Sequence, residues 1–382
     1  MLKITKNLRL LGIVEQFLSS GGTFLFFLFS SKYFGIESFG NFAYMYTGVQ
    51  LVYTIFLQWI ILPKVSFEKK INSFKASSTF IKKFALIVLC IPIFWLVYIS
   101  NLKQEVTFEL VMRWLIFTIS YCGFEYLKIS LIKSESVMEL ILIQIVRWLS
   151  VAALILVEKS ISIAFFLPMC IIFFLYLRKY RYNSVSTKEK TYNYLLVNAI
   201  SSCVNNMIIN MALINVSVGI VGSLLAFRSA TNFIPLILQY IETHLASAAK
   251  NKNLANVISK SVFLCILYIS ITLTLISIFT YEIIVSKVWG EDYLAHGELF
   301  PMLVFIVLVQ AIGRIKNTEL RHKGKTKVYM YNSLVFLLST MFLVILTNFD
   351  MQSDILLSSI LFIMVITPVI QSSISTLALR IK

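Results

Sequence analysis

Three arginines, Arg113, Arg147 and Arg228, stand inside long stretches of sequence that are otherwise apolar. A charged side chain at the centre of a bilayer costs roughly 2.5–3.5 kcal/mol, so three facing lipid would cost on the order of 8–10 kcal/mol. That sum rivals the whole net stability of a domain. The arginines are therefore expected to face a cavity or polar partners. Arg147 lies nearest the middle of its stretch, with Gln144 one turn before it. Arg228 opens a helical stripe with Asn232, Pro235 and Gln239. Asn198, Ser202 and Asn205 form a second stripe, with Asn206 and Asn210 beside it. A guanidinium matches the paired oxygens of a phosphate or carboxylate, and amides match hydroxyls. Arg147, Arg228, Arg113, Gln144, Asn198, Asn205, Asn232 and Gln239 are accordingly the candidate substrate-binding residues. Arg113 sits near a membrane interface, where snorkelling to headgroups explains it as well as a cavity does.

Two acids, Glu15 and Glu125, also fall inside apolar stretches. Glu125 has Lys128 three residues on and reads as half of a local pair. Glu15 shares a stripe with Gly12, Ser19 and Gly22, a face suited to close helix packing or to one wall of a pathway, and it is the ion-coupling candidate. Surplus arginine in a cavity suits an anionic, polyhydroxylated substrate. Surplus carboxylate would suit a cationic one.

Other chemistry finds little support. The five cysteines, Cys90, Cys122, Cys170, Cys203 and Cys265, fall in separate apolar stretches without ligand spacing and read as packing residues. The three histidines, His244, His296 and His322, are far apart, so neither a metal site nor a histidine-based catalytic pair is expected, and no cofactor is implied. Gly324-Lys325-Thr326 ends like a phosphate-binding loop, but Glu319 occupies the place of its first glycine.

The elements that must position these residues are spans. A helix needs roughly twenty apolar residues to cross about 30 Å of hydrocarbon. Stretches of that length lie near residues 10–31, 39–62, 80–100, 107–130, 137–157, 160–178, 192–215, 219–243, 260–288, 298–320, 327–348 and 354–380. The expected fold is an all-α integral membrane protein of twelve transmembrane helices in two six-helix bundles, residues 1–182 and 183–382. The 58% hydrophobic and 14% charged composition and mean hydropathy of +0.84 leave no polar stretch long enough for a soluble domain. Basic residues gather on alternate loops, for example Lys64, Lys69, Lys70 and Lys75, then Arg178, Lys179, Arg181, Lys188 and Lys190. The intervening loops carry Glu291, Asp292, Glu298 and Asp350. By the positive-inside bias both termini are cytoplasmic. The net charge of +16 is then loop charge against an anionic leaflet, with no nucleic-acid partner. Glu15 interrupts the first apolar stretch, so a cleavable signal peptide is not expected. Trp59, Trp95 and Trp289, near span ends, are expected to anchor at the interface.

The halves echo one another. Gly35-Ile36-Glu37-Ser38-Phe39-Gly40 leads into the second span much as Gly219-Ile220-Val221-Gly222 leads into the eighth. Halves of six spans each would be parallel repeats about an axis along the membrane normal.

Three short segments carry a family resemblance. Ser31-Lys32-Tyr33-Phe34-Gly35-Ile36-Glu37-Ser38-Phe39-Gly40-Asn41-Phe42-Ala43 resembles the first inter-helix turn of the polysaccharide transporters in the multidrug/oligosaccharidyl-lipid/polysaccharide flippase superfamily. Val288-Trp289-Gly290-Glu291-Asp292-Tyr293 resembles their outer turn between helices nine and ten, and Lys323-Gly324-Lys325-Thr326 their inner turn before helix eleven. The resemblance implies a MATE-like fold and a flippase similar to the O-antigen type. Such a protein moves an undecaprenyl-diphosphate-linked oligosaccharide to the outer leaflet of a bacterial plasma (inner) membrane by rocking two bundles about a cationic cavity. It implies lipid-linked oligosaccharide and membrane lipids as partners, a glycan polymerase and chain-length machinery nearby, a monomer, and no enzymatic step. Arg147 and Arg228 would then sit in opposite bundles, an assignment made from depth because the motifs do not include them. A cation-coupled drug or metabolite antiporter of the related multidrug branch is the alternative, favoured if Glu15 and Glu125 share a cavity that the arginines do not. A glycan polymerase or ligase fits less well, because the longest expected outer loop is only about ten residues.

Overall fold

The computed structural model describes residues 11, 14–15, 17–57, 60, 78–101, 107–133, 136–157, 160–179, 218–231, 252–322, 331, 334–335, 338 and 353–380. All regular structure among them is helical. In hydrocarbon a helix satisfies its backbone within one segment, and that constraint selects it here over propensity. After a π-helical turn at Phe17–Gly21 come α1 (Gly22–Phe56), α2 (Ser78–Asn101), α3 (Phe108–Lys133), α4 (Val137–Val157) and α5 (Ile161–Lys179). Then follow α6 (Val218–Thr231), α7 (Lys252–Val288), a 3₁₀ turn at Glu291–His296, α8 (Leu299–His322) and α9 (Ser353–Arg380).

Among the described residues three stretches, Val137–Val157, Leu267–Val288 and Ser358–Leu377, are long and apolar enough to cross a membrane by length and composition. The expected span 192–215 lies outside the described residues, as do the second half of 219–243 and most of 327–348. Where spans and described residues coincide the boundaries agree closely, as in α4. Pro92, Pro168 and Pro368 sit inside α2, α5 and α9, which helices in a membrane tolerate when neighbours satisfy the freed carbonyls.

The first two expected spans join in α1, which breaks at Gly35 (φ 79°, ψ 167°), a left-handed conformation that favours glycine. Phe27 meets Phe39 and Phe42 edge-on across this break, with ring centroids 6.0 and 5.8 Å apart, so the chain doubles back on itself as a hairpin.

The chain separates into two compact units. One comprises residues 1–19 and 44–203, the other residues 20–43 and 204–382. In the first unit α3 packs on α2, α4 and α5. Trp95 and Trp114 meet edge-on at 4.5 Å, and Trp95 Nε1 donates to Thr118 Oγ1 at 3.0 Å. Gly123 lets α3 approach α5 closely, because a Cβ there would overlap the Phe173 ring. The α4 helix divides cleanly: Leu140, Gln144, Arg147 and Val151 form its buried stripe, while Leu142, Val146, Leu149 and Leu156 are exposed. An exposed stripe this apolar is what a lipid-facing surface requires.

In the second unit α8 packs against α6, α7 and α9. Its core includes Phe227, whose ring meets Trp289 at 5.0 Å and Phe300 at 5.8 Å. Two tryptophans therefore depart from the interfacial role expected of them. Trp95 and Trp289 are both buried, because rings this large fill core space that aliphatic neighbours leave between helices. Trp59 lies outside the described residues.

Candidate functional site

The inward stripe of α4 brings Arg147 and Gln144 into the interior of the first unit, where they are 2% and 0% exposed. Arg147 Nη1 donates to Gln144 Oε1 over a long 3.4 Å. The guanidinium carbon lies 4.3 Å from the Trp148 ring centroid, 5.0 Å from Phe124 and 5.4 Å from Phe165. Aromatic faces attract a cation, and each contact is worth about 0.5–2 kcal/mol depending on desolvation. They do not fill its hydrogen-bonding capacity. Arg147 Nε and Gln144 Nε2 have no partner, and among the described residues no carboxylate comes within ion-pair distance of Arg147. A buried donor left unmade costs about 1–3 kcal/mol, so this pair is primed for an acceptor.

A polar and aromatic network adjoins it in the same unit. Tyr46, Gln50 and Tyr53 occupy one face of α1 at helical spacing, and Tyr121 and Glu125 lie one turn apart on α3. Gln50 Nε2 donates to the Tyr121 hydroxyl at 2.7 Å, and the Tyr53 hydroxyl donates to Glu125 Oε2 at 3.5 Å. Tyr121 meets both Tyr46 and Tyr53 edge-on.

Glu15 is buried at 3% exposure, and its partner is Lys128, with Nζ 3.6 Å from Glu15 Oε1 and donating to Ser19 Oγ at 2.7 Å. The local Glu125–Lys128 pair expected from spacing does not form. A desolvated ammonium is held by the carboxylate and hydroxyl of the N-terminal segment, which face it from another element, and Glu125 turns to Tyr53 instead.

Arg113 is exposed and its Nη2 bonds Glu109 Oε1 at 2.7 Å one turn away, a surface pair on the same helix. Arg228 is exposed on α6. Asn198, Asn205, Asn232 and Gln239 lie outside the described residues. Sequence reasoning missed Lys128 as the partner of Glu15, and it missed the Tyr46, Gln50, Tyr53 stripe. The stripe was available as an i, i+4, i+7 polar pattern within an apolar run. Among the described residues no cluster of histidine, cysteine or acidic groups has metal-binding geometry.

A second cluster joins segments that sequence analysis singled out separately. The Tyr293 hydroxyl donates to the Ser31 carbonyl at 3.3 Å. Gly222 packs so tightly on the first hairpin that a Cβ would stand 3.0 Å from the Ile36 carbonyl oxygen and 3.4 Å from the Gly40 Cα. The two glycine motifs that echo one another in sequence thus touch in space. Burial pushes the Tyr293 phenol up to about 12 and depresses the imidazole of His296 below its usual range. Lys323-Gly324-Lys325-Thr326 lies outside the described residues.

No family model and no curated protein matches the chain. Among solved structures it is similar to the eukaryotic MATE transporter AtDTX14, with a TM-score of 0.66 and 11% identity, covering 100% of this chain and 96% of that one. It is also similar to a mutant of the Vibrio cholerae MATE transporter VcmN, with a TM-score of 0.60 and 12% identity, covering 100% and 98% respectively. The chain has the fold of the MATE transporters.

Proposed function

We propose that this protein is a membrane transporter whose cargo is an anionic lipid-linked oligosaccharide, carried between leaflets by alternating access. The observation that supports an anionic cargo is Arg147: a guanidinium buried to 2% exposure, held by aromatic rings, with an unfilled Nε donor and no carboxylate at ion-pair distance among the described residues. Burying such a group costs several kcal/mol, a cost that an incoming diphosphate or acidic sugar offsets. Gln144 Nε2 offers a donor beside it, and Arg228, exposed on α6, is a further candidate guanidinium. Arg113, satisfied by Glu109, contributes least. The setting is a bacterial plasma membrane with both termini cytoplasmic, the protein acts as a monomer beside the glycan polymerase and chain-length machinery, and no bond of the cargo is broken.

The antiporter reading has its own support in the two structural neighbours, both MATE transporters, and in Glu125, an acid without a cationic partner at ion-pair distance among the described residues. The sidedness of lipid-linked glycan after deleting the gene in its host separates the readings. Single repeat units collecting on the cytoplasmic leaflet are the expected result. Accumulation on the outer leaflet would point to a polymerase or ligase, and no accumulation would move the antiporter reading ahead.

A further inference from the structure

Three buried N–H donors on one face of α4 lack an acceptor. Gln144, Arg147 and Trp148 stand at i, i+3 and i+4, the spacing that makes side chains neighbours on a helix surface. Gln144 Nε2, Arg147 Nε and Trp148 Nε1 are all shielded from solvent, and none has a hydrogen-bond partner. The guanidinium touches both of its neighbours: Nη1 donates to Gln144 Oε1 at 3.4 Å, and its carbon sits 4.3 Å from the centroid of the Trp148 ring. Phe124 and Phe165 stand beside the same guanidinium, with ring centroids at 5.0 and 5.4 Å, and the Phe165 and Trp148 rings lie 6.4 Å apart.

The chemistry of this group is one-sided. It offers three N–H donors and a positive charge, and the aromatic rings around it can turn only a negative face or a positive edge to a ligand. A water molecule accepts from N–H groups but does not balance a buried guanidinium. A carboxylate would do both, yet none comes within ion-pair distance of Arg147 among the described residues, and Glu125 of the adjoining network accepts from Tyr53 instead. The complement is an anion. With Gln144 and Arg147 exposed by only 0% and 2%, the three nitrogens are reached together most easily by an anion of a single atom. Entry into so apolar a place also favours a weakly hydrated ion, because a strongly hydrated one forfeits more on leaving water.

We propose that Gln144 Nε2, Arg147 Nε and Trp148 Nε1 form a binding site for one small, weakly hydrated monovalent anion of the halide class. The ion neutralises Arg147 and fills donors that the protein leaves open. It goes beyond the cargo assignment of the same arginine: the halide holds the site while cargo is absent and gives way to phosphate oxygens when cargo enters. Only this exchange rests on the transport reading, since halide binding is measured on the protein alone.

Trp148 makes the site its own reporter. The test uses the full chain in lipid bilayers, with potassium bromide replacing potassium gluconate at constant ionic strength, and reads tryptophan fluorescence, which a heavy halide in contact with an indole quenches. Trp95, Trp114 and Trp289 are buried, so bromide in bulk water reaches them poorly. The expected result is quenching that saturates, is absent from Trp148→Phe, and requires at least about tenfold more bromide in Arg147→Met, as loss of a charged donor implies. Quenching that rises without saturation, or that persists unchanged in either variant, overturns the proposal. Should a variant fail to fold, the wild type carries the test alone: its unfolding temperature rises in bromide or chloride relative to gluconate at equal ionic strength, and equal temperatures overturn the proposal. Saturable quenching without glycan accumulation on gene deletion would keep the halide site and remove the cargo; accumulation with unsaturable quenching would do the reverse.

Discussion

The Tyr293 hydroxyl reaches the carbonyl oxygen of Ser31 across 262 residues of sequence, and so pins the first hairpin to the 3₁₀ turn between α7 and α8. Around that bond Gly222 meets Ile36 and Gly40 backbone to backbone. All of these residues belong to the second unit, so the cluster ties its hairpin to α6 and to the 3₁₀ turn.

Gly222 is the sharpest probe of this cluster. Alanine improves helix propensity by up to about 1 kcal/mol, but its Cβ would lie 3.0 Å from a backbone oxygen that cannot swing aside. Overpacking of that kind costs about 1–3 kcal/mol and dominates. Gly222→Ala is expected to lower the unfolding temperature of the solubilised protein and Gly222→Leu to lower it further. A rise with alanine would show that the contact is loose.

Arg147 separates stability from function. Arg147→Met keeps a long apolar stem and removes a buried, under-satisfied charge, so it is expected to raise thermal stability by an amount equivalent to about 1–4 kcal/mol while abolishing export. Arg147→Glu is expected to insert normally and to export nothing, because it repels an anion. Wild-type export of lipid-linked glycan by either variant would remove Arg147 from the site.

The Glu15–Lys128 pair is expected to be structural. Lys128→Met leaves Glu15 buried without its cation and should destabilise the first unit by about 3–5 kcal/mol, whereas the double change Glu15→Gln with Lys128→Met should recover most of that loss. The check is chemical denaturation of Lys128→Met, Glu15→Gln and the double variant; additive losses would mean that the two groups do not interact.

His296 gives a pH prediction outside the spans. Burial lowers the proton affinity of its imidazole in the folded chain below the ordinary value of 6.5, partly offset by the backbone of Ala295. As pH falls through 6.5 the unfolded chain takes up the proton first, so stability is complete above that value and declines below it. The unfolding temperature should therefore fall on acidification, and less steeply in His296→Gln. Identical slopes in both proteins would remove His296 from the cause.

Much of the fold was legible because hydrocarbon imposes one rule on every segment: α4 appears over the residues that its apolar run delimits, and Arg147 with Gln144 faces inward as the cost of a lipid-facing charge requires. The partners of the buried charges were not legible. Helical spacing offered Lys128 to Glu125, yet a lysine stem reaches groups on other elements, and the carboxylate that holds it lies in the N-terminal segment. Nor does composition separate an interfacial tryptophan from a packed one; Trp95 was decided by Trp114 and Thr118, residues of a neighbouring helix. The membership of residues 20–43 in the second unit also depends on contacts far away in sequence, such as Tyr293 with Ser31.

The partnership between the N-terminal segment and Lys128 has a consequence for biosynthesis. Ser19 and Lys128 are 109 residues apart, and a chain that emerges at roughly 5–20 residues per second keeps its first span waiting for on the order of 5–20 s before that ammonium exists. During this interval Glu15 has no Lys128 ammonium to pair with. Lys128→Met, which makes that wait permanent, is expected to yield an early-degraded nascent chain in pulse-chase labelling as well as a weakened finished protein.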